Sequence, residues 1–307
     1  NKEMKHHTIN IEEVNIHYVE AGTDYIRHSP RQTIVFLHGF PEYWGTWHAQ
    51  LDYLSDKYRV IAPDLPGYNL SDKPQQQSFF ELPNLIQFIA KFIQGVAPQE
   101  KVIVVAHDWG GVIAWPLAAF FPQLVGRLVI LNAAHPSTFT REMMHNAEQR
   151  QKSEYIHELI APDGVEKLSA NHHQYLKDKI FAGMQEGTLN DAQHQVYQQV
   201  WSVPGAVNGM LQYYRAMPQL APSAKAISDK SKQVITTTQM KIPNIRINCP
   251  TLILWGEQDQ AFVKENIDGV EEYVPDVRIK RFPDASHWLQ HELPDAVNLE
   301  IETFLQE

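Results

Sequence analysis

The chain has 307 residues, 43% of them hydrophobic, enough for one α/β core with a large insertion. Its formal charge of −10 and the lack of any lysine or arginine run exclude a nucleic-acid binder, which needs a basic patch to displace counterions. A single cysteine, Cys249, excludes an internal disulfide and a CxxC metal site, and no apolar run is long enough to cross a bilayer. Residues 1–10 are polar with no apolar h-region, so no signal peptide is expected in the sequence as given. With the cysteine usage, that points to a cytoplasmic location.

In chain order, residues 9–20 alternate polar and apolar, which predicts half-buried antiparallel strands. Short apolar runs follow, each ending in a turn signal. They are 33–37 before His38-Gly39, 60–62 before Pro63-Asp64, 102–106 before His107-Asp108, and 128–131 before Asn132. Uninterrupted runs of this kind fit parallel strands covered on both faces. Helical patterns at 82–94 and 111–121 separate them, so the prediction is a doubly wound α/β core, a mostly parallel sheet flanked by helices.

From residue 136 to 217 the strand-like runs disappear and helical spacing takes over, as at Leu168, Tyr175 and Leu176. This predicts a helical cap inserted after the fourth apolar run. Residues 221–241 are polar and rich in Ser, Thr and Lys, a predicted long excursion. Strands at 251–255 and 278–282 and a final helix at 294–305 restore the α/β rhythm. The expected division is a core of residues 1–135 and 247–307 around a cap of 136–246, with the active site in the cleft between them.

The run VIVVAHDWGG at 102–111 carries the chemistry. A strand enters small-x-Asp-x-Gly-Gly and leaves as a helix, the context of a nucleophile elbow, usually G-x-S-x-G. Ala106 and Gly110 are the small flanking residues the sharp turn requires, and Asp108 stands where the serine would be. A carboxylate attacking an ester carbonyl would give an anhydride. Attack on a saturated electrophilic carbon gives an alkyl ester that water can cleave. Asp108 therefore points to epoxides or alkyl halides. The plainer alternative is a helix N-cap.

The fold order nucleophile, acid, histidine places the base after the last strand, at His287, where it would activate water. The acid belongs after the strand at 251–255, where Asp259 is the choice and Glu257 the alternative. Asp259 would orient His287 and stabilise its charged form. No carboxylate lies at 132–135. His291 stands four residues after His287, but the H-E-x-x-H pattern is absent, so it is expected at the surface. His38-Gly39-Phe40-Pro41-Glu42 follows the first apolar run. It is expected to supply an oxyanion hole from the backbone N–H groups of Phe40 and Trp109, with a cis bond before Pro41.

Together HGFPE, DLPGYNLSDKP, AHDWGG, LNAAHP, PTLILWGEQD and the SHW at 286–288 resemble the epoxide hydrolase branch of the α/β-hydrolase fold, across nearly the whole core. Haloalkane dehalogenases share the fold and the aspartate. The resemblance separates the two in the cap, where epoxide hydrolases carry two tyrosines that donate to the epoxide oxygen. Tyr155 stands seven residues before Pro162, and Tyr214 lies in Tyr213-Tyr214-Arg215, which match the family's two patterns. Ring opening makes an alkoxide that a phenol can protonate, whereas halide leaves without a proton. The alternative for both tyrosines is packing. The F-Q usual before the cap proline is Leu159-Ile160-Ala161 here.

The resemblance also implies that His38, Glu42 and Trp109 bind substrate or position water. For Glu42 the alternative is a salt bridge or solvent contact. Trp109 could also hold a halide, but the second halide donor of many dehalogenases is an Asn where this chain has Phe40. The expected activity is hydrolysis of a small-molecule epoxide by water, with no cofactor and no metal. Dehalogenation with the same Asp108, and a non-catalytic binding module, are the alternatives.

Overall fold

In the computed structural model, which describes residues 3–24, 30–217 and 240–307, the alternating segment near the start folds as an antiparallel hairpin. Its strands are β1 (Lys5–Ile11) and β2 (Val14–Ala21), in register from Lys5 opposite Glu20 to Ile11 opposite Val14. The turn residues Glu12 and Glu13 hold φ of +48° and +74°, a left-handed pair made here without glycine.

The apolar runs become β3 (Thr33–Leu37), β4 (Arg59–Pro63), β5 (Val102–His107), β6 (Val125–Leu131), β7 (Thr251–Gln258) and β8 (Val277–Ser286). The sheet order is β1-β2-β4-β3-β5-β6-β7-β8. β2 runs antiparallel to both β1 and β4, and the other pairs are parallel.

The strand period of two explains why the central runs are apolar at every position. Val35, Leu37, Val104 and Ala106 face one core, and Ile34, Phe36, Ile103 and Val105 face the other. Helix α1 (His48–Leu54) and the C-terminal helix Pro294–Leu305 cover the second face through Leu51, Leu54, Val297, Ile301 and Phe304. Helices α2 (Leu82–Val96) and α3 (Trp109–Phe120) cover the first. Each such side chain removed from water contributes about 1.5–3 kcal/mol. Several boundaries differ from expectation, two of them for clear reasons. β6 starts at Val125 because Val125 and Arg127 still pair with Val102 and Ile103 in the ladder, with Gly126 at a register shift between them. α3 starts at Trp109 because the chain turns at Asp108 itself.

Between β6 and β7 every regular element of the described residues is helical. These include α4 (Pro136–His145), α5 (Ala147–Lys152), α6 (Tyr155–Ile160), α7 (Gly164–Tyr175), α8 (Asp191–Ser202) and α9 (Ala206–Arg215). Local chemistry sets their ends. The Asn146 side chain accepts from the N–H groups of Glu148 and Gln149 to start α5. Ala161, held extended before Pro162, stops α6. All but the last two residues of the expected 221–241 excursion lie outside the described residues. No helix among those described is long and apolar enough to cross a membrane.

Candidate active site

β5 delivers Asp108 to the top of the sheet in a conformation that L-residues rarely adopt, φ +55° and ψ −123°. Such a backbone costs about 1–3 kcal/mol and persists only where the surroundings impose it. The strand-to-helix turn is tight enough that a Cβ on Gly110 would sit 2.1 Å from the Leu37 carbonyl oxygen. The Phe40 N–H donates to Asp108 Oδ2 at 2.9 Å, across the cis Phe40-Pro41 loop that follows β3.

β8 and β7 bring in the other two groups. His287 Nε2 lies 3.0 Å from Asp108 Oδ1, and His287 Nδ1 lies 2.6 Å from Asp259 Oδ2. All three are buried. Asp259 Oδ1 accepts from the N–H groups of Ala261 at 2.6 Å and Phe262 at 3.1 Å, so its orientation is fixed on both oxygens. Burial opposes charge on His287, but the charge of Asp259 and the hydrogen bonds to Asp108 and Asp259 prevail and raise its pKa to about 10. Burial would likewise raise Asp108, but the His287 hydrogen bond and charge hold it below its ordinary value. The resting arrangement is an imidazolium between two carboxylates.

Tyr155, at the start of α6, and Tyr214, in α9, line the same cavity as Asp108 and His287, of about 240 Å³. Their ring centroids are 6.4 Å apart. Tyr214 packs edge-on against Phe40 at 5.1 Å and Trp109 at 5.3 Å. Its neighbour Tyr213 points the other way and donates to the Pro66 carbonyl at 2.5 Å, which anchors α9 to the core. Backbone contact between Gly209 and Gly67 lets the helix approach that closely, since a Cβ on Gly209 would lie 2.1 Å from the Gly67 oxygen. Burial, with Asp108 nearby, raises both phenols, so they remain neutral donors.

A family model described as the α/β-hydrolase fold matches residues 32–294. Epoxide hydrolase 4 of Homo sapiens is 34% identical over 96% of this chain and 76% of its own length. Epoxide hydrolase 2 of Caenorhabditis elegans is 31% identical over 100% of this chain and 81% of its own. The crystal structure of the Bacillus megaterium epoxide hydrolase in complex with an inhibitor superposes with a TM-score of 0.84 at 33% identity, covering 98% of this chain and 100% of that one. This chain belongs to the epoxide hydrolase family of α/β hydrolases.

Within this epoxide hydrolase fold, three residues singled out by sequence lie away from the cavity. His38 is buried and uses both nitrogens on backbone: Nδ1 donates to the Gly39 carbonyl at 2.9 Å, and Nε2 accepts from the Leu65 N–H at 3.0 Å. Glu257 pairs with Arg281 at 3.5 Å on the outer side of the sheet. Glu42 is buried, with Oε1 held by the Tyr197 hydroxyl and Oε2 by Thr46 Oγ1 at 3.0 Å and His291 Nε2 at 2.7 Å. Burial opposes its charge, but His291 and Tyr197 keep its pKa low. The surface expectation for His291 is therefore wrong: its side chain is 3% exposed, because Glu42 draws it inward. Trp109 does line an apolar cavity beside Asp108.

Other residues of the site escaped the sequence reading. Asn132, just after β6 with φ +41°, donates to Asp259 Oδ2 and to the Gly256 carbonyl, each at 2.9 Å, and accepts from the Gly256 N–H. The signal was present as the Asn of LNAAHP, a residue type that tolerates positive φ. Gln149 of α5 is buried and spans to the loop after Asp259. It donates to the Ala261 carbonyl at 2.9 Å and accepts from the Val263 N–H at 3.0 Å and Asn266 Nδ2 at 2.8 Å. Nothing in the spacing marked it. His107 is pushed down to about 4, first by burial and then by the charge of His287, so its ring beside His287 adds no charge. Among the described residues, no group of three or more His, Cys, Asp or Glu side chains is arranged to hold a metal.

Proposed function

We propose that the chain converts epoxides to vicinal diols in two steps, with Asp108 as nucleophile, His287 as base and Tyr155 and Tyr214 as proton donors. The observation that carries this reading is the placement of an ionised, histidine-held Asp108 and two neutral phenols around one cavity. The helical segment between β6 and β7 acts as the cap over the core.

In the first step the tyrosine hydroxyls bind the epoxide oxygen. Asp108 Oδ2 is held by the Phe40 N–H where the oxyanion later forms, and Oδ1, on the His287 side, attacks the less hindered or more activated ring carbon. The carbon–oxygen bond of the ring breaks as the ester bond forms, and one phenol gives its proton to the departing oxygen. Ester formation erases the Asp108 charge, one of the two carboxylates that hold His287 protonated. The imidazolium then returns a proton to the tyrosinate and becomes a neutral base.

In the second step His287 Nε2 removes a proton from water, which attacks Cγ of the ester. Negative charge gathers on Oδ2, already bonded to the Phe40 N–H, with the backbone N–H of Trp109 as the expected second donor. Collapse breaks the bond to Oδ1. The leaving alkoxide takes the second water proton, which completes the diol, and the Asp108 carboxylate and His287 imidazolium are restored. Asp259, fixed by Asn132 and two backbone N–H groups, supports the charge on His287 in both steps.

The test is to incubate the purified protein with a panel of aryl and alkyl epoxides and haloalkanes and to measure diol and halide in the same samples. Diol without halide is expected. Halide without diol would move the reaction to dehalogenation and leave Tyr155 and Tyr214 as packing residues.

A further inference from the structure

The loop that carries the Phe40 N–H is gripped from the cap as well as from the core. It is a turn from Gly39 to Glu42, closed by the Glu42 N–H on the Gly39 carbonyl at 2.9 Å. Phe40, inside the turn, donates its N–H to Asp108 Oδ2. β3 delivers one end of the turn, and two side chains of α8 hold the other. Trp201 Nε1 donates to the Pro41 carbonyl at 2.8 Å, and the Tyr197 hydroxyl donates to Glu42 Oε1. Thr46 Oγ1 and His291 Nε2, both from the core, reach Glu42 Oε2 at 3.0 and 2.7 Å. One carboxylate thus has an oxygen bonded to each half of the molecule.

The spacing on both sides matches. Tyr197 and Trp201 are four residues apart, so they stand on one face of α8, and the residues they hold, Pro41 and Glu42, are consecutive. Both rings are buried, with centroids 5.6 Å apart. A capping box between Asn190 and Gln193 fixes where α8 begins. Burial, with the charge of Glu42, raises the Tyr197 phenol, so it stays protonated and donates. Neither Glu42 nor any residue of α8 lines the two cavities that Asp108 borders. The route from α8 to the chemistry therefore runs through the turn and not through the substrate.

We propose that Tyr197 and Trp201 are positioning residues: by holding Glu42 and Pro41 they aim the Phe40 N–H at Asp108 Oδ2, so that α8, docked on the core, completes the oxyanion site. The proposal rests on the two-step epoxide reading. Its effect falls on one step. In ester formation Asp108 loses charge, so an N–H on Oδ2 is no stronger in the transition state than before it. In ester hydrolysis charge builds on Oδ2, and the same N–H strengthens as it does so. A turn held loosely by α8 slows hydrolysis and spares formation.

The experiment compares the wild type with Tyr197→Phe, which removes only a hydroxyl, Trp201→Phe, which keeps a ring without the N–H, and the double variant. The substrate is the aryl epoxide that gives the most diol with the wild type. Single-turnover quenching, read as the mass of the peptide containing Asp108, follows the ester as it forms and decays. Each single variant should slow decay about tenfold, part of the roughly 10²–10³-fold cost of losing a whole oxyanion donor. The double variant should slow it further, and the rate of formation should change less than about twofold. In the resting protein, the Phe40 amide hydrogen should exchange faster with D₂O in both single variants. A variant that only folds less well would show smaller amplitudes with unchanged rates. That result, equal slowing of both steps, or unchanged exchange at Phe40 would make α8 a packing element and overturn the proposal. Slow decay in Tyr197→Phe but not in Trp201→Phe would also overturn it, because Glu42 would then act on the water and not through the turn. Absence of any ester, even in the His287→Gln protein, would instead overturn the epoxide reading beneath it.

Discussion

The core half and the cap half of the catalytic cavity are held by different forces. On the core side each group stands at the end of a strand: Asp108 after β5, Asn132 after β6, Asp259 after β7 and His287 after β8. The ladder that pairs β5 with β6, β6 with β7 and β7 with β8 sets their spacing before any side chain acts. On the cap side, Tyr155 and Lys152 ride on helices of six residues, far shorter than a helix that is stable alone. The helices of this side hold position through side chains: Gln149 of α5 on the Asp259 loop, Tyr213 of α9 on the Pro66 carbonyl, and Trp201 of α8, whose Nε1 donates to the Pro41 carbonyl at 2.8 Å. Asp108 and the strand-end groups bonded to it from the core are therefore fixed by the sheet. The tyrosines proposed to bind the ring oxygen depend on individual contacts that substitution can loosen.

That division can be broken by mutation, and the largest effects belong to the core. Asp108→Ala should lower diol formation by about 10⁴-fold or more, as for loss of a nucleophile. His287→Gln should stop turnover after the first step, so that the peptide containing Asp108 gains the mass of the substrate. If that variant turns over without any adduct, the two-step scheme fails. On the cap side, Tyr155→Phe and Tyr214→Phe should each slow ester formation about 10²-fold, the lower end for a proton donor, since its partner remains. The double variant should be nearly inactive, and none of the three should accumulate ester. Stopped-flow or single-turnover mass measurements separate these cases.

Gln149→Leu sharpens the comparison, because it cuts one of the links between the halves. It leaves the Val263 N–H and Asn266 amide buried without their partner, an expected loss of about 2–3 kcal/mol in urea unfolding. The second step should slow more than the first, because the Asp259 loop is what moves. An unchanged rate of ester hydrolysis would make Gln149 purely structural. The smallest effect is the pH dependence of stability. The folded pKa of His287 is raised to about 10, above the ~6.5 of an unfolded histidine. Its contribution is fully present below about pH 6.5 and is lost as pH rises through 10. Unfolding across that window should show stability falling with pH in the wild type, and a flatter profile in His287→Gln.

Much of the core was legible because its signals are local. The runs at 33–37 and 294–305 coincide with the observed strand and helix to the residue, and the elbow around Asp108 needs only a strand, two small residues and a helix. Chain order admits both Asp259 and Glu257, and the structure separates them. Residue 259 lies past the last paired residue of β7 and turns inward to His287, whereas residue 257 is still in the strand and points at Arg281. His291 and His38 were misjudged because a histidine looks the same in sequence whether its partner is water or a buried group. Glu42, 249 positions from His291, decides the first, and the Leu65 N–H decides the second.

By itself, the sequence determined the strand–helix alternation, the aspartate in the nucleophile's place and the order of the three groups along the chain, because period-two and helical burial and tight turns act over a few residues. Tertiary structure alone decided that Asn132 braces Asp259 and Gln149 the loop after it, that Glu42 is tied up by His291 and Tyr197, and that two cavities meet at Asp108. These arise where the helices between β6 and β7 settle on the sheet. A buried polar group there takes whichever partner the packing brings within about 3 Å, and no local spacing encodes that.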